Sequence, residues 1–512
     1  MTDNPYFLAL DYGTQSVRAL VFDLHGSLIA KAQIIVDPYI DDEVGAAIQE
    51  PDYCYRQLVD VVVDLFANSQ VTPNQIKAVA LTTQRACTVL FDDAGNANSP
   101  IYMWSDRRLA SRPLPKMSWY FRLGFAVSGL SRRINYLRSA AKVNFIHQVE
   151  PQKLTHAAKV GMFSGYLLQR MTGHLIDSRA SQVGYLPFDY KRQAWASTRS
   201  WRWQALAVRP NQMVSLISPA ECVGDVAEHF AQDSGLPTHL PIFAAGGDKA
   251  CEMFATGCGE AGVVTVSLGS AAVIALGTNQ YREAYRYLPA FPSLKPQAFM
   301  TELQLERGFW LLSWLIKEFG QAEVIESQRL GISAEQLISR LIDDVPIGAK
   351  GLMLSPTWAQ GVIYPGPEAR GSIVGFTPEH NRLCLYRAAI EGILLTLKSA
   401  LIRLSKISQA PINLIRVSGG GAQSDIIMQM CADVFDLPVE RLHIYEASGL
   451  GAAMCCAVGA GYYGDVEAAR REMTHIGQRF EPIATHVVQY QHIFKIYKTL
   501  YPQIKPFYKA QS

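Results

Sequence analysis

A turn rich in hydroxyl and glycine residues, set between two apolar strands, occurs twice in this chain about half its length apart. In the first copy Phe7, Leu8, Ala9 and Leu10 lead into Asp11, Gly13, Thr14, Gln15 and Ser16, and Val17 and Ala19 to Phe22 lead away. In the second copy, Val263 to Gly277, Ser267, Gly269 and Ser270 repeat the spacing of Asp11, Gly13 and Thr14. A pattern that opens each half points to a duplicated domain. The length agrees, because 512 residues exceed what one ordinary core organises. The expected division is 1–247 and 248–512.

The chemistry of such a turn suits phosphate. Glycine lets the backbone approach an anion, and successive N–H groups in a tight turn form an anion-binding concavity. Thr14, Gln15, Ser16 and Ser270 add donors, and Arg18 adds a permanent positive charge. Asp11 would repel phosphate unless a cation lay between them, which makes it a candidate ligand of magnesium, held through water. The plainer alternative is that Asp11 caps the turn.

Asp248 follows an apolar strand, Ile242 to Ala245, and the pair Gly246-Gly247, at the expected start of a helix. Aspartate there is a favoured helix cap. It is also placed to act as a general base, accepting a hydroxyl proton while that oxygen attacks phosphorus. Farther on, the strand Leu414 to Val417 runs into Ser418-Gly419-Gly420-Gly421-Ala422 and then a helix bearing Ile426, Ile427, Met430 and Val434. That glycine run serves equally as a flat ledge for a base or as a tight packing turn. The small residues from Glu446 to Tyr463 read as a closely packed helix.

Other signals are exclusions. Gly257 to Gly262 spells G-x-G-x-x-G, but a helix is expected before it and a strand after it, the reverse of a dinucleotide site. There is no G-x-x-x-x-G-K-[ST] loop. With 47 basic and 45 acidic side chains the net charge is +2, so neither nucleic acid nor an acidic membrane is expected as a partner. The basic run Ser105 to Lys116 reads as a solvated face. The 9 cysteines form no C-x-x-C pair and lie largely in apolar stretches, as suits a reducing compartment. No signal segment or membrane span is evident, and a cytoplasmic location is expected.

Together these motifs resemble the FGGY family of carbohydrate kinases, within the superfamily that shares the actin and sugar-kinase ATPase fold. The first hairpin resembles the family's first phosphate motif, and "SLGSAAVI" its second. "GAAIQEPDYCY" resembles G-x-x-E-Q-D-P with Ile48 at the usual acid, and "PIYMWSDRR" resembles W-x-D-x-R. "GGDKACEMFATGC" is similar to the block with the catalytic aspartate. The segments from Glu368 to Ile393 and from Gly419 to Gly461 resemble the long C-terminal patterns.

The resemblance implies two ribonuclease-H-like α/β domains with ATP·Mg²⁺ and a small sugar, ketose or polyol in a cleft between them. It implies Asp248 as base, Asp11 at the metal, and Gly13, Thr14, Gln15, Arg18, Gly269 and Ser270 around the phosphates. Gly420, Gly421, Ala422 and Ser424 would bed the adenosine, and Gln84, Arg85 and Trp104, with Asp248, would meet the acceptor. A homodimer is left open. The acceptor segments depart from the glycerol-kinase form: Ala86 stands for a glutamate, Lys249 for a glutamine, and Leu137 for a tyrosine with Tyr136 beside it. The acceptor is therefore not named. Rival expectations are an actin- or Hsp70-like ATPase and a non-catalytic sugar- or nucleotide-binding protein on the same fold.

Overall fold

The hairpins form as the apolar patterning predicts. In the computed structural model, which describes residues 5–511 apart from 38, 42, 112, 113 and 362–364, β1 (Tyr6–Tyr12) pairs antiparallel with β2 (Ser16–Phe22). Nearly every residue of both strands is buried, as a sheet covered on both faces requires. The pairing register sets Asp11 opposite Arg18. β3 (Leu28–Ile35) follows antiparallel to β2, and its alternating exposure marks the sheet edge. On the other side of β1 lie β4 (Ile76–Thr83), parallel to it, and then β6 (Pro241–Ala244), parallel to β4. β5 (Cys222–Asp225) closes that edge antiparallel.

The second hairpin starts the same arrangement again. β7 (Val263–Leu268) and β8 (Ala272–Thr278) are antiparallel, and β9 (Phe299–Leu305) lies beyond β8. β10 (Leu414–Ser418) runs parallel to β7, β11 (Val439–Leu442) parallel to β10, and β12 (Ile476–Phe480) antiparallel to β11. Both sheets thus share the order 3-2-1-4 followed by a parallel strand and an antiparallel edge, although the edge strand precedes its neighbour in the chain in the first sheet and follows it in the second. The duplication inferred from two short turns extends to whole sheets.

Each compact unit gathers segments that are distant in sequence. One comprises Met1–Ala255, Ala290–Phe299 and Glu446–Thr474; the other comprises Thr256–Pro289, Met300–Tyr445 and His475–Ser512. The reason is packing. Helix α3 (Asp248–Ala255) continues from β6, and helix α6 (Ala447–Gly459) lies against α3 and β1. The core of the first unit gathers β1, β2 and β4 with α1 (Pro51–Ala67) and α2 (Phe163–Thr172). The core of the second gathers β7, β8 and β10 with α4 (Arg382–Ser405) and α5 (Asp425–Phe435). The helix–turn–strand order around Gly257 to Gly262 is the expected one, and Cys87, Cys431, Cys455 and Cys456 are all buried.

The expected solvated basic run is instead partly structural, though 112 and 113 lie outside the described residues. Asp106 is buried; its carboxylate pairs with Arg108 at 2.7 Å and Lys142 at 2.9 Å, and accepts the Ala47 amide. Burial would lift its pKa, but the Arg108 and Lys142 bonds outweigh burial and hold it below the ordinary value.

The seating of α6 is a tight constraint on the first unit. A Cβ on Gly451 would lie 2.3 Å from the Cys251 carbonyl oxygen on α3, and one on Gly449 would lie 2.2 Å from Leu20 Cδ1 on β2. Backbone cannot yield as a flexible side-chain tip does. Gly451→Ala is expected to cost about 1–3 kcal/mol, read from urea unfolding, whereas Gly464→Ala, with nothing within 4 Å of the added methyl, leaves the midpoint unchanged.

Candidate active site

The end of β1 and the start of α3 bring Asp11 and Asp248 into one electrostatic neighbourhood of the first unit. Asp11 is 2% exposed, and its Oδ2 is held by Arg18 Nη1 at 3.1 Å and by Ser448 Oγ at 2.7 Å. Ser448 lies in the first turn of α6 and had no sequence signal beyond its place in a small-residue segment. Arg18, expected on phosphate, is in this structure paired with Asp11.

Beyond Asp11 the chain turns through Gly13, whose N–H donates to Ser16 O at 3.0 Å. Thr14 Oγ1 accepts from Trp104 Nε1 at 3.1 Å and donates to Gln84 Oε1 at 3.2 Å. Tyr39 Oη donates to the same Gln84 oxygen at 2.9 Å, and Gln84 Nε2 donates to Gly13 O at 3.4 Å. The residues expected on phosphate (Gly13, Thr14) and on acceptor (Gln84, Trp104) are therefore one hydrogen-bonded group. Gln84 is 3% exposed with both amide atoms engaged, so it braces the turn, while Trp104 is 44% exposed. Sequence reading missed Tyr39. A small cavity beside Thr14 and Gln15 is lined by Ile35, Val36, Asp37 and Tyr39.

Asp248 is the first residue of α3. The Gly247 carbonyl accepts from Cys251 N, so the cap position falls on Gly247. Asp248 Oδ1 accepts only the adjoining Lys249 amide, at 2.7 Å, and lies 3.7 Å from Arg85 Nε. An aspartate acting as a cap would take an amide two or three residues on. Burial raises the Asp248 pKa above the ordinary aspartate value; Arg85 and Lys249 oppose that rise, and the Asp11 carboxylate adds to it.

Gly247 has a specific use, since a Cβ there would lie 2.6 Å from Arg85 Cγ. Arg85 also stands over the Phe291 ring at 5.6 Å. Beneath this turn Ala180 O accepts from Gly247 N at 3.2 Å. The Ala180 turn is anchored by buried Asp177, which accepts from Ser164, Gln182 and Ser178 N; burial lifts its pKa to about 7.

The departures at the acceptor segments resolve into local packing. Lys249 Nζ meets Glu252 at 2.5 Å. Burial would lower the Lys249 pKa, but Glu252 and Asp248 together raise it. Ala86 has φ 61, a conformation unusual for a residue with a Cβ, and Gly184 packs against it. Leu137 packs inward, whereas Tyr136 is exposed and meets Tyr185 edge-on at 6.4 Å.

In the second unit, the turn at Gly269 and Ser270 is docked by backbone. Gly308 N donates to Ser270 O at 2.8 Å, and Phe309 N to Gly269 O at 3.0 Å. Of the glycine run, Gly419 has φ 86 and abuts Leu268 backbone, and Gly421 abuts Leu268 and Phe309 side chains. Gly420 alone of these three faces open space. Ala422 is buried, and Ser424 Oγ caps α5 by accepting from Ile427 N. The run is thus a packing turn at both ends and a bare ledge in the middle.

A magnesium ion fits this donor set in one manner. Among the described residues no group of three or more His, Cys, Asp or Glu side chains converges on a metal position. A single buried carboxylate beside a phosphate-type turn suits a cation that keeps most of its water and takes its other ligands from phosphate.

Comparison with known proteins assigns the family. Residues 6–255 match the N-terminal domain of the FGGY family of carbohydrate kinases, and residues 265–460 match its C-terminal domain. An uncharacterised sugar kinase of Escherichia coli K12, YgcE, is 27% identical over 97% of this chain and 93% of its own length. A xylulose kinase of Bacillus subtilis is 25% identical over 98% of this chain and 97% of its own length. The crystal structure of a ligand-bound xylulose kinase from Lactobacillus acidophilus has the same fold, with TM-score 0.83 at 17% identity, covering 99% of this chain and 100% of that one. Matched in both halves, the chain belongs to the FGGY family of carbohydrate kinases.

Proposed function

We propose that this kinase transfers the γ-phosphoryl group of ATP to a hydroxyl of a small neutral sugar, ketose or polyol, with Asp248 as general base. The observation that carries this reading is the Asp248 carboxylate, free of the cap hydrogen bond, lifted in pKa by burial and held near Arg85. A carboxylate of raised pKa takes a proton more readily from an alcohol as the oxygen attacks. The acceptor oxygen bonds to the γ-phosphorus, the bond to the β-phosphate bridging oxygen breaks, and ADP leaves. The hydroxyl proton goes to Asp248.

Gly13, Thr14 and Gln15, and likewise Gly269 and Ser270, would offer backbone N–H and hydroxyl donors to phosphate. Gly420 would lie under the adenosine, with Gly421, Ala422 and Ser424 shaping that turn. Asp11 would hold magnesium through water; when bound, the ion neutralises phosphate charge. Arg18 is close enough to that carboxylate to exchange partners, leaving Asp11 for phosphate when a cation takes its place. Arg85 and Trp104 would meet the acceptor, with Gln84 bracing them.

Charge supports a neutral acceptor. Asp11 pairs with Arg18, Asp248 with Arg85, and Glu252 with Lys249, so each cation near the base already faces a carboxylate. A sugar acid would have to displace one of them. The xylulose kinases among the relatives favour a ketose.

In a coupled assay with ATP and magnesium, neutral pentuloses and polyols are expected to be phosphorylated with higher kcat/KM than the corresponding sugar acids; the reverse order contradicts the charge argument. Asp248→Asn is expected to lower kcat by about 10²–10⁴-fold while nucleotide affinity, read by calorimetry, changes little. Undiminished sugar-dependent ADP release would refute the assignment. The acid limb of kcat/KM is expected above the ordinary aspartate pKa, because activity needs ionised Asp248. Arg85→Met removes the opposing charge, so the limb should move to higher pH; a downward move would show that Arg85 does not act on Asp248.

A further inference from the structure

The near-neutral charge of the whole chain conceals a segregated surface. From Arg107 to Val149 the sequence carries 9 of its 47 lysines and arginines and none of its 45 aspartates and glutamates. The remainder is therefore net acidic. Arg108 and Lys142 are turned inward to Asp106, but Arg107, Lys116, Arg122 and Arg132 are exposed.

Within this acid-free stretch the helix Trp119–Val127 has no buried residue, and neither has the next helix, Ser131–Ala140. The first helix has two apolar sides. Phe121 and Phe125 pack inward against the cluster around Met117 and Phe145. Trp119, Tyr120, Leu123 and Val127 fall on the other side, within about 100° of the helix circumference, and are 72%, 52%, 55% and 83% exposed. Arg122 flanks this stripe, and Arg132 follows on the next helix. Four large apolar side chains left in water on nine residues are a cost that an occupant would remove.

We propose that this face docks the protein reversibly on an anionic lipid surface. The charge selects the occupant. A second copy would bring the same basic stretch against itself and be repelled, whereas anionic headgroups attract lysine and arginine. The shape agrees. The stripe stands on an exposed helix instead of lining a groove, so it needs no shaped counterpart, and Trp and Tyr suit the headgroup boundary while Leu and Val enter the acyl edge. Among the described residues no helix is long and apolar enough to cross a membrane, so the contact is peripheral. This inference does not rest on the catalytic reading.

The test is co-sedimentation of the full chain with vesicles of phosphatidylcholine mixed with phosphatidylglycerol, and with phosphatidylcholine alone, at low and high salt. Binding is expected only to the anionic vesicles and only at low salt, with a blue shift of tryptophan emission. Arg122→Glu with Arg132→Glu should weaken it by roughly fivefold or more per site, and Trp119→Ser with Leu123→Ser should abolish both binding and blue shift. These residues lie outside the proposed catalytic machinery, so activity on soluble substrate reports that the variants are folded. No binding to anionic vesicles, or binding that the variants retain, overturns the proposal. So does concentration-dependent dimerisation lost in Trp119→Ser with Leu123→Ser, which would assign the face to a second copy.

Discussion

The first unit depends on a close approach of backbone to backbone between α6 and α3. Gly451 stands where any side chain would meet the Cys251 carbonyl, and Gly449 stands where one would meet Leu20. Because these positions carry no Cβ, a segment from late in the chain can lie on strands from its beginning. Two site features follow. Ser448 reaches the Asp11 carboxylate, and α3, which starts at Asp248, is pressed against a helix nearly all of whose residues are buried. A chain that loosened this contact would keep its motifs and lose their arrangement.

The two carboxylates are distinguished by surroundings, not by residue type. Asp11 is compensated by a guanidinium and a hydroxyl on one oxygen. Asp248 has a more distant guanidinium and one backbone donor, and burial dominates its titration. Burial that raises the proton affinity of one acid, beside a second acid held by a guanidinium and a hydroxyl, is an arrangement that suits proton transfer next to charge binding. The Lys249–Glu252 pair limits how far the neighbouring ammonium opposes the rise at Asp248, because that ammonium is largely satisfied elsewhere.

Much of this was legible beforehand because it rests on local patterning. The hairpins, the helix after Gly247 and the helix after the glycine run all announce themselves by apolar periodicity and glycine. What was not legible came from contacts between distant segments. Tyr39 and Ser448 carry no motif, yet each donates a hydrogen bond into the site. Gln84 looked like a residue facing substrate, but its burial comes from the tertiary closure of Thr14 and Tyr39 around it. The same holds for the compact units, since a single linear boundary does not represent a segment that returns across the sequence. The glycine run divides between packing and open ledge only once Leu268 and Phe309 are in place.

In the proposed mechanism one carboxylate primes an alcohol that attacks ATP directly, with no phosphorylated residue in between. Transfer from ATP made chiral at the γ-phosphorus with sulfur and oxygen isotopes reads this in the product. Inversion of configuration is the result expected of a single in-line displacement. Retention would require two displacements through a phosphorylated side chain and would contradict the account.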